Sequence, residues 1–500
     1  MTVVLDGSSL TLADLLAVAG GSAAVALAPS AIEAMGASRA VVEELAAAGT
    51  PVYGLTTGVA ERKQVAVAAG MGGAVSRRLV RNHLIAQGAP ASPALVRATM
   101  CCLANSFATG YPGVRPELAG LIVDSLAART PGARTPGAAP PGAAPLPTIR
   151  TLGSVGEADL GPLADLAESL LSRTGFELQA GEGLALIDSN AFSTAAAALA
   201  VGDAGVLLGW LQRGAALDYA AFGANLSVLH PAVSGARPHP GIDEARRGLA
   251  ALLEGSFLHE EGKSRHLQDP LSFRCVPQVH GAAYDALHYA ERVVETECNA
   301  AQGNPLVLAG EKRAISVGNF DAIYVASALD FLRIALAPAL GAATERSVKL
   351  LQAGSSGLSA GLSMSPEDGD DGLAELAVAS QSMTVEARLL AQPVSYELAS
   401  TSKAEGIEDR TSMAPLSARR LSEMSLLGSR TVAIGLVVAA QALDLRPGPP
   451  GGAVAGRLGH GAATYQLVRS HVGFTAAGDS LPADLEPLVA TLTGGMPSAS

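Results

Sequence analysis

Apolar residues recur along most of this 500-residue chain at the three-and-four spacing that lines up one face of a helix. The pattern predicts a short strand or turn and then two Ala-rich helices in residues 1–50. Ser30 is placed to cap the second, because its hydroxyl can accept from a free backbone N–H. β-Branched residues and glycines then interrupt the period in Val52-Tyr53-Gly54-Leu55-Thr56-Thr57-Gly58 and give a loop. Helical spacing returns from Arg77 to Leu126, broken at Gly110-Tyr111-Pro112-Gly113. Residues 129–145 form a Pro/Gly/Ala tract that cannot bury enough surface to order itself, which predicts a flexible surface loop. A helix opens at Asp159 or at Gly161-Pro162 and runs to about Ser172, since proline is tolerated in the first turn. From Ala195 onward long apolar-periodic helices alternate with brief loops. Two of them cover 321–350 and 373–392, with the acidic loop Glu367 to Asp371 between. A small β-hairpin is expected after Asn304-Pro305-Leu306, through Gly310-Glu311 to Ala314-Ile315-Ser316-Val317. The Pro/Gly tract 447–452 separates a final helical unit, so the chain divides into segments 1–195, 196–446 and 453–500.

Composition sharpens this picture. With 49% apolar and only 4% aromatic residues, the interior must be built from Ala, Leu and Val, which favours closely packed helices. The net charge of −12 is spread without a basic block, which argues against nucleic acid or an anionic membrane as partner. The start, Met-Thr-Val-Val-Leu-Asp-Gly, lacks a basic segment and a cleavable apolar core. The most apolar run, Thr431 to Leu443, is flanked by Arg430 and Asp444, falls short of a bilayer span, and reads as a helix buried among helices. Cys101, Cys102, Cys275 and Cys298 show no paired spacing of a metal site and fit a reducing cytoplasm. His259 and His266 lie beside Glu260 and Glu261, but no His-Glu-x-x-His string occurs, so no metal is expected.

Candidate chemistry centres on Leu146 to Ala167. Gly153-Ser154-Val155-Gly156, followed by Asp159-Leu160 and Pro162-Leu163-Ala164, closely resembles the signature segment of the histidine and aromatic amino-acid ammonia-lyases. In that family an Ala-Ser-Gly tripeptide between the second glycine and the aspartate cyclises into an electrophilic methylidene-imidazolone. Here only Glu157-Ala158 fills the gap. The serine that would lose water and the glycine whose nitrogen would close the ring are both missing, so no such group is expected, and no other cofactor. Glu157 stands just ahead of a helix N-terminus, whose partial positive charge favours a carboxylate. It reads as an anchor for the loop or as a substitute catalytic group.

Further strings carry the resemblance in order. Tyr53-Gly54-Leu55-Thr56-Thr57-Gly58 looks like the loop that bears the family's catalytic base, Tyr53. Leu79-Val80-Arg81-Asn82-His83 falls where the family has Ser-His facing the substrate side chain; His83 is kept and Asn82 replaces the serine. On its own, His83 reads equally as a packed or solvated helix residue. After Glu182-Gly183-Leu184-Ala185-Leu186-Ile187, the family's Asn-Gly-Thr has become Asp188-Ser189-Asn190, which puts Asp188 where an asparagine helps hold the amino acid. In Leu271-Ser272-Phe273-Arg274-Cys275-Val276-Pro277-Gln278 a second tyrosine has become Leu271. Arg274 is kept, a guanidinium suited to gripping a carboxylate through two hydrogen bonds, and Gln278 supplies an amide. Asn304 and, in Gly318-Asn319-Phe320-Asp321, the aromatic wall Phe320 complete the substrate-binding set. Glu408-Asp409-Arg410-Thr411-Ser412-Met413 matches the string with an active-site glutamate; the segment before it is about two residues longer than the pattern, which leaves Glu405 a rival to Glu408.

The resemblance implies an all-α fold, a long-helix bundle of the fumarase/aspartase-like ammonia-lyase type with a smaller loop-rich N-terminal head. It also implies a cytoplasmic homotetramer whose active sites combine loops from different subunits. Helix N-termini converging on one pocket are expected to stabilise anions, a tyrosinate included. The reading that follows is a lyase-like enzyme, independent of methylidene-imidazolone, that couples proton transfer to elimination, addition or cyclisation on a small, already activated carboxylate substrate. Tyr53 serves as its base. Two alternatives stay open: an inactive homologue that binds a ligand or partner subunit, and a conventional ammonia-lyase that cyclises another tripeptide such as Gly153-Ser154-Val155.

Overall fold

The first helix, Leu12–Ala19, is opened by Thr11, whose hydroxyl accepts from Asp14 N while the Asp14 carboxylate reaches back to Thr11, a reciprocal cap. The second, Pro29–Ala47, starts without a side-chain cap: Ala28 flanks it and Pro29 occupies the first turn. Ser30 therefore lies inside the helix and caps nothing, because the fixed φ of Pro29 starts the helix ahead of it. Between the two helices Ala24–Leu27 pairs in parallel with Thr2–Leu5, a strand that the apolar run Ala-Val-Ala-Leu does not announce. The expected hairpin forms from Leu306–Leu308 and Arg313–Ile315. A third pair, Gln87–Pro90 with Arg150–Leu152, leads into the signature segment. The computed structural model describes residues 1–127, 145–396, 406–446 and 455–494. Glu405, the tract from 128 to 144 and the tract from 447 to 454 lie outside the described residues.

The rest is mostly helix, as expected of an all-α protein. Four helices dominate: Ala191–Phe222, Val276–Cys298, Ile323–Leu351 and Ala414–Leu445. A 32-residue helix extends about 48 Å at 1.5 Å per residue. The run Thr431–Leu443 belongs to the last of these, which is much longer than the run itself. By length and composition Glu182–Phe222, Ile323–Leu351 and Ala414–Leu445 are long and apolar enough to cross a membrane, yet 67%, 61% and 78% of their most apolar windows are buried inside the protein. Ala195, Ala197, Ala198 and Ala200 are wholly buried; side chains this small let helix backbones approach closely at native packing density.

Two compact units can be delimited. The first comprises Met1–Gly202, Ala290–Leu329 and Pro393–Arg419; the second comprises Asp203–Tyr289, Asp330–Gln392 and Arg420–Ser500. Each of the four long helices divides its residues between them. Within the second unit the buried Arg346 Nε donates to Asp218 Oδ2 at 2.7 Å, and Trp210 Nε1 donates to Leu492 O at 2.9 Å.

Candidate active site

The Tyr53 loop is shaped by the residues that follow the tyrosine. Val52 O accepts from the backbone N–H groups of Leu55, Thr56 and Thr57, and Val52 N donates to Thr56 Oγ1 at 2.7 Å. Gly54 adopts φ +68° and lies against Leu184, where an added Cβ would come within 2.2 Å of Leu184 Cδ2; only glycine meets both demands. The loop thereby packs on the helix Glu182–Ile187. That helix is itself pinned by Glu182, which is fully buried and accepts from Arg115 Nε and Nη2, each at 2.8 Å. Burial acts upward on the Glu182 carboxyl, but the bonds from Arg115 and from two backbone N–H groups outweigh it and hold the group below its usual range.

The helix ends at Asp188. Asp188 is 7% exposed, and its Oδ2 accepts from Asn304 N at 3.2 Å. Burial, opposed by that bond and reinforced by the charge of Glu408, pushes its carboxyl from 3.8 up to about 7. The Tyr53 hydroxyl oxygen accepts from Ala60 N at 3.1 Å. Burial pushes the phenol above its ordinary value; the bond from Ala60 opposes this, and the negative charges of Asp188, Glu408 and Glu61 add to it. Burial first, and then the acidic charges of the described residues, raise the phenol, the direction opposite to the tyrosinate expected from the sequence. Tyr53, Ser106, Leu184, Ser189 and Asn304 line a cleft of roughly 580 Å³, counted to its open mouth.

The signature segment is held by chain from elsewhere. Ala158 N donates to Phe320 O at 3.1 Å, Asp159 N to Ser189 O at 2.8 Å and Met413 N to Val155 O at 2.8 Å. Glu157 pairs with Asp321 in a β-bridge, and Ser412 Oγ donates to Gly156 O at 2.7 Å. Asp159 flanks the helix Leu160–Thr174 without capping it. Its carboxylate accepts instead from Ser193 N, Ser193 Oγ and Ser154 Oγ at 2.6–2.7 Å. Phe320 and Glu157 are thus joined through backbone, and Arg410 Nε, donating to Asp321 Oδ2 at 2.9 Å, ties the Glu408 string to the same place.

Whether these residues fit a methylidene-imidazolone can be read from the donors present. The gap offers a glutamate and an alanine, neither of which can lose water to a methylidene, and the Ala158 nitrogen is committed to Phe320 O. Ser154 donates to Asp159 Oδ1 and accepts from Gly156 N at 3.1 Å, and the residue after it is the β-branched Val155. The residues do not fit the group.

The structure places the remaining candidates as follows. His83 ends the helix Gly72–Asn82, and its Nδ1 lies 2.8 Å from Leu79 O; a carbonyl only accepts, so Nδ1 carries the hydrogen. Asn304 Oδ1 accepts from Val317 N at 2.8 Å, fixing the start of the hairpin. Arg274 and Gln278 belong to the second unit, where Arg274 Nε and Gln278 Oε1 are buried with no hydrogen-bond partner among the described residues. Sequence reasoning missed Ser106 and Ser189 on the cleft, and Asn190, whose buried amide has no partner for either polar atom among the described residues. The signal for Asn190 was its place in the altered Asp188-Ser189-Asn190 string.

Residues 10–469 match the family described as aromatic amino acid lyase. The chain belongs to that family. It is 33% identical to the histidine ammonia-lyase of Symbiobacterium thermophilum, over 99% of this chain and 97% of that protein. Another histidine ammonia-lyase, from Gloeobacter violaceus, is 35% identical over 89% of this chain and 88% of its own length. Among solved structures, ergothionase from Treponema denticola, an ergothioneine-degrading enzyme in complex with desmethyl-ergothioneine sulfonic acid, superposes with a TM-score of 0.86 and 25% identity. The match covers 99% of this chain and 98% of that one. Tyrosine aminomutase from Streptomyces globisporus gives 0.85 and 27%, over 99% and 97%. This lyase family accounts for the all-α fold and the order of its strings.

Proposed function

We propose that this member of the family is a lyase that works without a methylidene-imidazolone, by base-initiated β-elimination from a small carboxylate substrate whose leaving group is already activated. The observation that carries the reading is the Glu157-Ala158 gap, with no serine to dehydrate and no glycine nitrogen to close a ring. Ammonia leaves poorly as an amine unless an electrophile holds it. A quaternary ammonium needs no such help, because it carries a permanent positive charge and departs as a neutral tertiary amine. Ergothioneine, the compound in the name of one structural relative, is a betaine of this kind, so betaines of aromatic or imidazole amino acids are the substrate class proposed here.

Each role follows from the chemistry of its side chain. Tyr53 is the base that meets the β-hydrogen. Arg274 is assigned to the carboxylate, which would supply a partner for its buried Nε. Phe320 and His83 face the ring, Asn304 and Gln278 fix polar atoms, and Asp188 with Glu408 surrounds the positive head with negative charge. Glu157 is assigned to anchoring the loop. Exposed Tyr324, Phe331 and Ile334 on one long helix and Val378, Val385 and Leu389 on another support a homotetramer, since a monomer seldom leaves so much apolar surface in contact with water.

The test is to incubate the purified protein separately with ergothioneine, histidine, phenylalanine and tyrosine, and to follow trimethylamine, ammonia and the absorbance of an unsaturated acid. Turnover of the betaine with no measurable ammonia from the amino acids is expected. Ammonia release from histidine at a rate comparable to betaine turnover would favour the second reading, a conventional histidine ammonia-lyase, which draws its support from the 33% identity to such an enzyme.

A further inference from the structure

The backbone that leads into Arg274 is gripped by buried side chains from two helices. Leu271–Arg274 is a four-residue helix, and after Cys275 the long helix Val276–Cys298 begins. Pro277 lies in the first turn of the long helix, where it is tolerated, but it brings no N–H. In a continuous helix that N–H would serve the carbonyl four residues back, Phe273 O. The Tyr219 hydroxyl takes its place and donates to Phe273 O. One residue earlier, Arg346 Nη1 donates to Ser272 O at 3.2 Å, while Arg346 Nε donates to Asp218 Oδ2 at 2.7 Å. Asp218 and Tyr219 are neighbours on the helix Ala191–Phe222, and Arg346 lies on Ile323–Leu351. All of these residues belong to the second unit.

Tyr219, Arg346 and Asp218 are 0%, 1% and 3% exposed. A buried ion pair is weak evidence of a contribution to stability, since apolar residues of similar volume often do as well. What apolar residues could not do is hold a backbone carbonyl. The Phe273 ring is fixed too, stacked on Phe222 with centroids 4.3 Å apart. Arg274 Nε, in contrast, is buried with no hydrogen-bond partner among the described residues, as is Gln278 Oε1. Buried polar atoms rarely go unpaired, so Arg274 has hydrogen-bonding capacity left for a group from outside the chain.

We propose that Tyr219 and the Asp218–Arg346 pair are positioning residues for Arg274: by holding the carbonyls of Ser272 and Phe273 they set the place at which its guanidinium meets the substrate carboxylate. The proposal rests on the assignment of Arg274 to that carboxylate. A guanidinium grips a carboxylate through two parallel hydrogen bonds of narrow geometry, and a misplacement of about 1 Å can cost about 10²-fold in rate. No bond or proton changes hands at these three residues. Their effect is therefore expected in KM and kcat/KM, and only by way of Arg274.

The experiment measures steady-state kinetics of the full-length protein, with ergothioneine as the probe, for wild type, Tyr219→Phe, Arg274→Ala and the double variant. Tyr219→Phe keeps the ring beside Phe273 and removes only the hydroxyl. It should lower kcat/KM by about 10- to 10²-fold, mostly through KM, with a cooperative unfolding transition retained. In the Arg274→Ala background the same change should cost less than about twofold, because groups that act as one unit are not additive. Arg346→Lys, which keeps a charge opposite Asp218 but gives up the planar fork, should show the same dependence on Arg274. An unchanged kcat/KM in Tyr219→Phe, or an equal loss in both backgrounds, overturns the proposal and leaves Arg274 with the carboxylate. An Arg274→Ala protein as competent as wild type overturns both. A second readout needs no turnover: in paired crystal structures the Leu271–Arg274 backbone and the Arg274 guanidinium should be displaced in Tyr219→Phe, and their superposition on wild type overturns the proposal as well. Ergothioneine left intact by wild type would remove the betaine reading, and the crystal pair then decides the proposal by itself.

Discussion

The signature segment and the surroundings of Tyr53 and Asp188 lie in one unit of the molecule and use their polar groups in opposite ways. From Ser154 to Asp159 the backbone is stitched to Ser189, Phe320, Ser412 and Met413, and the buried Asp159 carboxylate accepts three hydrogen bonds. Among the described residues the Tyr53 phenol hydrogen and one Asp188 carboxylate oxygen have no hydrogen-bond partner, and burial, with like charge added, weakens both acids. A region whose backbone is this heavily hydrogen-bonded can hold a shape. The contrast is what the proposed function draws on when it assigns the chemistry to the cleft and treats the signature segment as its frame.

Removing the open phenol should have the largest effect. Tyr53→Phe is expected to lower betaine turnover by about 10²- to 10⁴-fold while thermal unfolding stays close to wild type. Unchanged turnover would move the base elsewhere. Next comes a stability effect with a definite sign. Folding raises the Asp188 carboxyl from 3.8 to about 7, so the native state favours the neutral form. Relative to the unfolded chain it is penalised as pH rises through that window, and not below 3.8. Asp188→Asn should therefore be more stable than wild type at pH 8, by up to about 4 kcal/mol at 1.4 kcal/mol per unit, and no more stable at pH 3.5. Paired denaturation curves at the two pH values would show this, and an equal gain at both would separate stability from ionisation.

The frame should respond to shape and not to charge. At Gly156, with φ +81°, an added Cβ would fall 2.1 Å from Ser412 Oγ and 2.9 Å from Ala414 N. Gly156→Ala is expected to cost about 2–4 kcal/mol from overpacking and left-handed strain, measured by urea unfolding. The smallest effect belongs to Ala158, which adopts φ +61° although it bears a side chain. Ala158→Gly should relieve strain of about 1 kcal/mol, partly offset by the greater freedom of glycine in the unfolded chain. A loss of more than that in the same assay would show that the Ala158 methyl is needed for packing.

Much of this was legible along the chain, because local rules carry it. The Tyr53 loop, the helix beginning beside Asp159 and the 306–315 hairpin announce themselves through glycines, β-branched residues and breaks in period. Ser30 misled because Pro29 starts the helix first, and Ala24–Leu27 was missed because four apolar residues show no alternation. The stitching of the signature segment was invisible for a different reason. Its partners Ser189, Phe320 and Ser412 come from distant parts of the sequence, and no local pattern reports them. At Asp188 the sequence showed only a changed residue; its weakened acidity arises from burial and from Glu408, which reaches it from far along the chain. The tyrosinate expected from the pattern runs against the direction set by burial of Tyr53, to which acidic neighbours assembled by the fold add.

The central claim, that elimination here proceeds without the family's electrophile, is tested most directly by an accurate intact mass of the purified chain under denaturing conditions. A mass equal to that of the encoded chain is the predicted result, and it would direct substrate searches toward molecules that bring their own leaving group. A deficit of two water molecules would contradict the account, because it would mean that a methylidene-imidazolone forms from residues that do not fit it.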